Sequence, residues 1–203
     1  METSFPWNIS LFNALNASDT PGEFVLMAAK GLAIFSPWLV IVILILFWVF
    51  GTADSRRALM AAGVALGLGL AINFSIAFLV YVPRPFELGV GNSFLTHSLE
   101  TSFPSDHMTF LGSLGFGLLL TSPLRRLGGG IISLGLATAW ARIYLGVHFP
   151  LDMVASFVIS LFAALMSRFM SSTLDRILFQ PIEHLNTIVL RPLVDLKKNN
   201  DDR

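Results

Sequence analysis

The chain has 203 residues, of which 54% are hydrophobic and only 13% charged, with a mean hydropathy of +0.72. Ordinary soluble domains carry about 25% charged residues, so this composition points to a polytopic membrane protein with room for one compact helical domain, residues 1–203. A formal net charge of zero gives no basis for nucleic-acid binding, and the lack of cysteine excludes disulfides, zinc–thiolate sites and a cysteine nucleophile.

The N-terminus lacks the basic and apolar regions of a signal peptide, so the mature and encoded chains are expected to coincide. Residues 1–22 interleave Trp7, Ile9, Leu11, Phe12 and Leu15 with Asn8, Asn13 and Asn16. That pattern fits an interfacial amphipathic helix, with an ordinary surface arm as the alternative. Residues 31–50 hold no charge and are long enough to cross about 30 Å of hydrocarbon. This first span is expected to start as early as Glu23, which sets Lys30 near the interface, and to kink at Pro37. Gly51 to Arg57 reads as a polar loop. The second span, Leu59–Val82, has a small-residue face with Gly63, Gly67 and Gly69 and stops at Val82-Pro83-Arg84-Pro85. A long loop, 86–102, follows. The third span is Ser105–Leu120, the fourth Leu127–Gly146 and the fifth Pro150–Met170, with Pro150 suited to a first helical position. The expected core is 23–172. The tail, 173–203, has loosely helical apolar spacing broken by Pro181 and Pro192 and reads as a surface-lying segment.

The expected fold class is therefore all-α, a polytopic membrane bundle of about five transmembrane helices plus an N-terminal interfacial helix. Five spans put the termini on opposite sides. One side holds ten basic residues, among them Arg56, Arg57, Arg125 and Arg126 in short loops; the other holds only Lys30, Arg84 and Arg142. The positive-inside rule then places the C-terminus in the cytoplasm and the N-terminus outside. Arg84, His107, Arg142, His148 and Asp152 fall together on the external face, although none of them was needed to choose it.

Charge at the edge of an apolar span is expensive and tends to be functional. His148 and Asp152 are spaced i, i+4, which puts them on one face if both lie on helix, so that the carboxylate can hold one ring nitrogen and leave the other basic and outward; a structural His–Asp pair at a helix start is the alternative. Ser105 suits a helix N-cap, yet the same helix start is an anion site. His107, in that first turn, titrates near neutrality and could act as a general acid. Arg84 and Arg142 suit bidentate contact with phosphate oxygens, or else extend to lipid headgroups. Together these residues describe a phosphoryl-transfer site that works by positioning and electrostatics, with no carboxylate cage for a metal and no cofactor expected.

At these residues the sequence resembles the type 2 phosphatidic acid phosphatase (PAP2) superfamily, with its PAP2/chloroperoxidase-like fold. Arg84-Pro85, then Pro104-Ser105-Asp106-His107, then Arg142, His148 and Asp152 match the family's Lys-x6-Arg-Pro, Pro-Ser-Gly-His and Ser-Arg-x5-His-x3-Asp motifs in order and spacing. The resemblance implies that His148 attacks phosphorus to form a phosphohistidine, that Asp152 orients it and that His107 protonates the leaving group. Arg84, Ser105 and Arg142 would hold the phosphate. The longer runs Tyr81 to Phe86, Ser102 to His107 and Arg142 to Asp152 are similar to bacterial undecaprenyl-diphosphate phosphatases of the bacitracin-resistance type, a likeness that includes Asn73, His97 and Glu100. It implies a polyprenyl diphosphate substrate, cleaved on the outer face of the inner membrane during lipid-carrier recycling for cell-wall synthesis. His97, Glu100 and Asp106 are candidates for contact with the second phosphate, with exposed loop positions as the alternative for His97 and Glu100. The oligomeric state is not legible. Three departures stand out: Ala77 occupies the motif lysine position, with Lys30 as the candidate substitute; Ala141 replaces a serine; and Asp106 replaces a glycine.

Overall fold

A computed structural model describes residues 6–96, 99–121 and 123–188. The described residues are helical apart from their connections, with six principal helices: α1 (Pro6–Leu15), α2 (Glu23–Phe50), α3 (Ala53–Leu79), α4 (Asp106–Leu119), α5 (Arg125–Tyr144) and α6 (Pro150–Phe169). A further helical stretch covers 171–188, opening with α7 (Ser171–Leu174) and passing through a π-helical turn at Asp175–Phe179. Of these, α2, α3 and α6 are each long and apolar enough to cross a membrane.

The bundle is built around its shortest long helix. Ten of the fourteen residues of α4 are buried, and it packs against α3, α5 and α6. Leu111, Leu114 and Leu118 face Val40 of α2, Ala58, Leu59 and Ala62 of α3, and Ile131 of α5. Small residues permit this density: a Cβ on Gly117 would lie 2.7 Å from the Ala62 backbone. The outer helices reverse the pattern. Phe24, Phe35 and Trp38 on α2, Phe74 and Phe78 on α3, and Val158, Phe162 and Phe169 on α6 are all more than half exposed. An apolar exterior of this extent suits hydrocarbon rather than water, and the chain is a membrane protein by this surface.

Several boundaries differ from the sequence reading. Ala53 to Arg57 belong to α3 rather than to a loop. Thr52 caps that helix, its Oγ1 accepting from the Ser55 N–H at 3.2 Å, and Asp54 in the first turn favours the helix dipole. The second helix consequently starts six residues earlier than Leu59 and ends at Leu79 instead of Val82. Pro37 sits inside the continuous α2. Pro181 does not break the tail, because the helix carries on to 188. It comes two residues after the π turn, where the α-type hydrogen-bond ladder is shifted to i→i+5. The segment is anchored to α3: Glu183 pairs with Arg56 and Asp175 with Arg57.

Helix α1 is similarly packed rather than free. Phe12 is fully buried against Phe149, with ring centroids 5.2 Å apart. Asn16 donates to the carbonyls of Asn92 (2.9 Å) and Tyr144 (3.1 Å) and accepts from the Asn92 N–H (2.7 Å). These bonds tie the α3–α4 loop to the end of α5. At that junction Gly146 has φ +79°, and a Cβ there would run into the Asn92 carbonyl, so the turn into Val147 and His148 requires glycine.

Candidate active site

The turn after α5 and the start of α6 present His148 to the loop between α3 and α4. Pro150 and Asp152 open α6, and Asp152 Oδ2 accepts from the Phe149 N–H at 2.8 Å, which caps that helix. His148 is 2% exposed and Asp152 2%. The Nδ1 atom of His148 lies 2.9 Å from the Ser102 carbonyl oxygen and 3.3 Å from Asp152 Oδ2. Its Nε2 lies 3.2 Å from Arg84 Nη1 and 3.3 Å from Arg142 Nη2.

This arrangement determines the tautomer. A carbonyl oxygen can only accept, so Nδ1 carries the proton. A guanidinium can only donate, so Nε2 carries a lone pair. The ring is neutral and directs a basic nitrogen at two cations, which an incoming anion would draw onto itself.

Arg84 is held by main chain. Its Nη1 donates to the Val147 carbonyl (2.9 Å), Nη2 to Thr101 (3.1 Å) and Nε to Glu100 (3.1 Å). The flanking prolines set its backbone, and Glu87 Oε1 accepts from its N–H at 2.9 Å. Burial lowers the Arg84 guanidinium from its ordinary value, while Asp152, Asp106, Glu100 and Glu87 act in the opposite sense. It remains cationic, because a guanidinium starts far above neutrality. Glu87 is held below the usual carboxylate range by the Tyr81 hydroxyl, then by the Arg84 N–H. Arg142, in the last turn of α5, is 3% exposed.

Ser105 occupies the N-cap position of α4, but its side chain makes no cap bond. Its N–H donates instead to Ser156 Oγ on α6 at 2.7 Å. That leaves Ser105 Oγ fully buried with no hydrogen-bond partner among the described residues. An orphaned buried hydroxyl is costly unless something fills it.

The structure thus brings Arg84, Arg142, His148 and Asp152 into one contact network. His107 is partly buried in the first turn of α4. Asp106 is turned toward α3, where Asn73 Nδ2 donates to its Oδ1 at 2.6 Å and Thr109 Oγ1 donates to Asn73 Oδ1 at 2.7 Å. With Glu100, Asp106 is among the residues lining a groove of about 450 Å³, together with the apolar Phe74, Ala77, Phe78, Tyr81 and Leu99. Glu100 adds its carbonyl to Arg84, as above. His97 lies outside the described residues. Lys30 does not stand in for the cation missing at Ala77; it lines a different groove, with Phe86, Ser93, Phe94, Leu95 and Thr96.

Two residues carry more of the site than their sequence context suggests. Ser102 is part of the Ser102-Phe103-Pro104 signature, yet nothing in its type or spacing assigns it to His148. Ser156, one turn after Asp152, bonds to the Ser105 N–H and carbonyl; its i+4 offset from Asp152 was the available signal.

A family model for the PAP2 superfamily matches residues 58–175, more than half of the chain, and the chain belongs to that superfamily. It is 34% identical over 119 residues to undecaprenyl-diphosphatase BcrC of Bacillus subtilis (strain 168), which covers 59% of this chain and 61% of that protein. It is 29% identical over 180 residues to YbjG of Escherichia coli (strain K12), provisionally named for the same activity, covering 87% of this chain and 88% of that one. Among solved structures, Aquifex aeolicus LpxE superposes with a TM-score of 0.70 at 21% identity, covering 82% of this chain and 98% of that one. A PAP2-type phosphatidylglycerolphosphate phosphatase from Bacillus subtilis gives 0.58 at 17% identity, covering 84% and 87%. At these identities the two structures speak to the fold alone.

Proposed function

We propose that this protein hydrolyses undecaprenyl diphosphate to undecaprenyl phosphate and inorganic phosphate. The observation that carries the reading is the His148 environment: a neutral imidazole with its lone pair held 3.2 and 3.3 Å from two guanidiniums. The names of the relatives at about 30% identity supply the substrate class.

In this mechanism the terminal phosphate binds Arg84, Arg142 and the Ser105 hydroxyl, and draws the guanidinium donors off Nε2. His148 Nε2 attacks the terminal phosphorus, and the P–O bond of the anhydride breaks. His107 gives its proton to the departing oxygen of the lipid monophosphate. Water then attacks the phosphohistidine, His107 takes a proton back, and inorganic phosphate leaves. Asp152 and the Ser102 carbonyl hold Nδ1–H throughout. The two cations offset charge on the transferring phosphoryl group, which is where a site of this kind gains most.

We further place α2 to α6 as five membrane crossings in a bacterial inner membrane, with residues 1–203 as one domain. His148 then faces the outside, the N-terminus lies outside, and the C-terminus is cytoplasmic, as the arginine distribution favours. Purified protein should release phosphate from undecaprenyl diphosphate and form an acid-labile phosphoenzyme that His148→Ala abolishes. Faster turnover of phosphatidylglycerophosphate or phosphatidic acid in the same assay would reassign the substrate. A product that appears only when a second lipid acceptor is added would reassign the reaction to phosphotransfer.

A further inference from the structure

The stronger hold on His148 comes from Ser102. Its carbonyl is the nearer acceptor for Nδ1, at 2.9 Å against 3.3 Å for Asp152 Oδ2. Its hydroxyl donates to that same Oδ2 at 2.5 Å and lies 3.3 Å from Nδ1. Asp152 Oδ2 also accepts from the Phe149 N–H at 2.8 Å, so this oxygen is already shared between a helix cap and a serine. Ser102 is completely buried, and its own N–H donates to the Val82 carbonyl at 2.8 Å. That bond ties it to the strand of loop that leads into Arg84, whose guanidinium is gripped by the carbonyls of Glu100 and Thr101 just before it. One short segment, 100–102, therefore fixes both the arginine and the imidazole.

We infer that Ser102 is a positioning residue for the reaction: its carbonyl sets the His148 tautomer, and its hydroxyl holds Asp152 in register with the ring. The carboxylate acts on the histidine as one half of a serine–aspartate unit. A backbone carbonyl is well suited to this task, because unlike a carboxylate it cannot take the proton and so cannot leave Nδ1 as the basic atom. The hydroxyl then keeps Asp152 from drawing the ring away from the two guanidiniums. This inference rests on the function proposed above.

The test is steady-state and single-turnover kinetics on undecaprenyl diphosphate with purified wild type, Ser102→Ala, Ser102→Thr, Asp152→Ala and the Ser102→Ala/Asp152→Ala double variant. Loss of a hydrogen bond to a charged group corresponds to about a 10- to 100-fold fall, so Ser102→Ala is expected to lose that much in kcat and in phosphoenzyme formation, with KM within about twofold. Ser102→Thr, which keeps the hydroxyl, should recover most of the loss. In the Asp152→Ala background the serine change should add less than about threefold, because the hydroxyl acts through the carboxylate. Wild-type kcat in Ser102→Ala overturns the inference, as does an additive double variant. Equal losses in the alanine and threonine variants, with a lowered Tm, make Ser102 a packing residue and overturn it too. If wild type itself releases no phosphate, the proposed function falls first and this inference with it.

Discussion

Helix α3, roughly 40 Å long over its 27 residues, separates Arg56 and Arg57 in its first turns from Arg84 in the loop beyond its far end, and the two ends use their arginines in opposite ways. At that first end Arg56 and Arg57 each meet a carboxylate. Arg56 forms a fork with Glu183 at 2.7 and 2.6 Å and a third bond to the Gly51 carbonyl. Arg57 pairs with Asp175 at 2.8 Å and lies 4.3 Å above the Phe179 ring. Beyond α3's other end, Arg84 gives its donors to three carbonyl oxygens and to a histidine nitrogen. Carbonyls orient a guanidinium without cancelling its charge. The first arrangement closes a structure; the second, in the proposed reaction, would keep a cation available for the phosphate. Burial does not separate them, since Arg56 and Arg84 are both 4% exposed. The partner does.

The comparison can be broken most sharply at His148. His148→Ala should reduce phosphate release by about 10⁴-fold or more, measured at saturating undecaprenyl diphosphate, with little change in Tm. Arg84→Lys comes next, at about 10²- to 10³-fold in kcat/KM. A lysine keeps the charge but cannot reproduce a planar fork that meets three carbonyls and the substrate; activity near wild type would show that charge alone suffices there.

At the other end the expected effects are on stability. Arg56→Ala strands Glu183 and should destabilise the protein by about 2–3 kcal/mol, below the 3–5 kcal/mol of a fully buried pair because Glu183 keeps some contact with solvent. Thermal unfolding in detergent would read this, while kcat for the remaining folded protein should stay within about twofold. A large loss of kcat at unchanged Tm would couple the two ends and end the distinction. Arg57→Ala, with a half-exposed guanidinium, should cost under about 1 kcal/mol.

The smallest effect concerns Glu87, which braces the Arg84 backbone. Its carboxyl lies below the usual range in the folded protein, so it contributes stability above the unfolded value. That contribution disappears as pH falls through the lower, folded value. Glu87→Gln should flatten the acid limb of Tm against pH slightly; an unchanged profile would make the brace irrelevant.

Much of this was legible in the sequence. Long uncharged runs had to become helices that cross or line a bilayer, since backbone polar groups there have no other partners. The spacing of His148 and Asp152 brought a histidine and a carboxylate together where α6 begins, with His148 just before its N-cap. What the sequence could not show were contacts made between distant segments. Arg56 looked like a loop cation because its carboxylate lies 127 residues away. Ser102 read as the end of the long loop because its partners, His148 and Asp152, are 46 and 50 residues further on. Local pattern determined the helices, their order and the chemical groups at their ends. Only tertiary packing decided which arginines are neutralised, which atom holds the histidine proton, and that a serine hydroxyl is left buried and unmatched, because each of these depends on what the fold brings opposite.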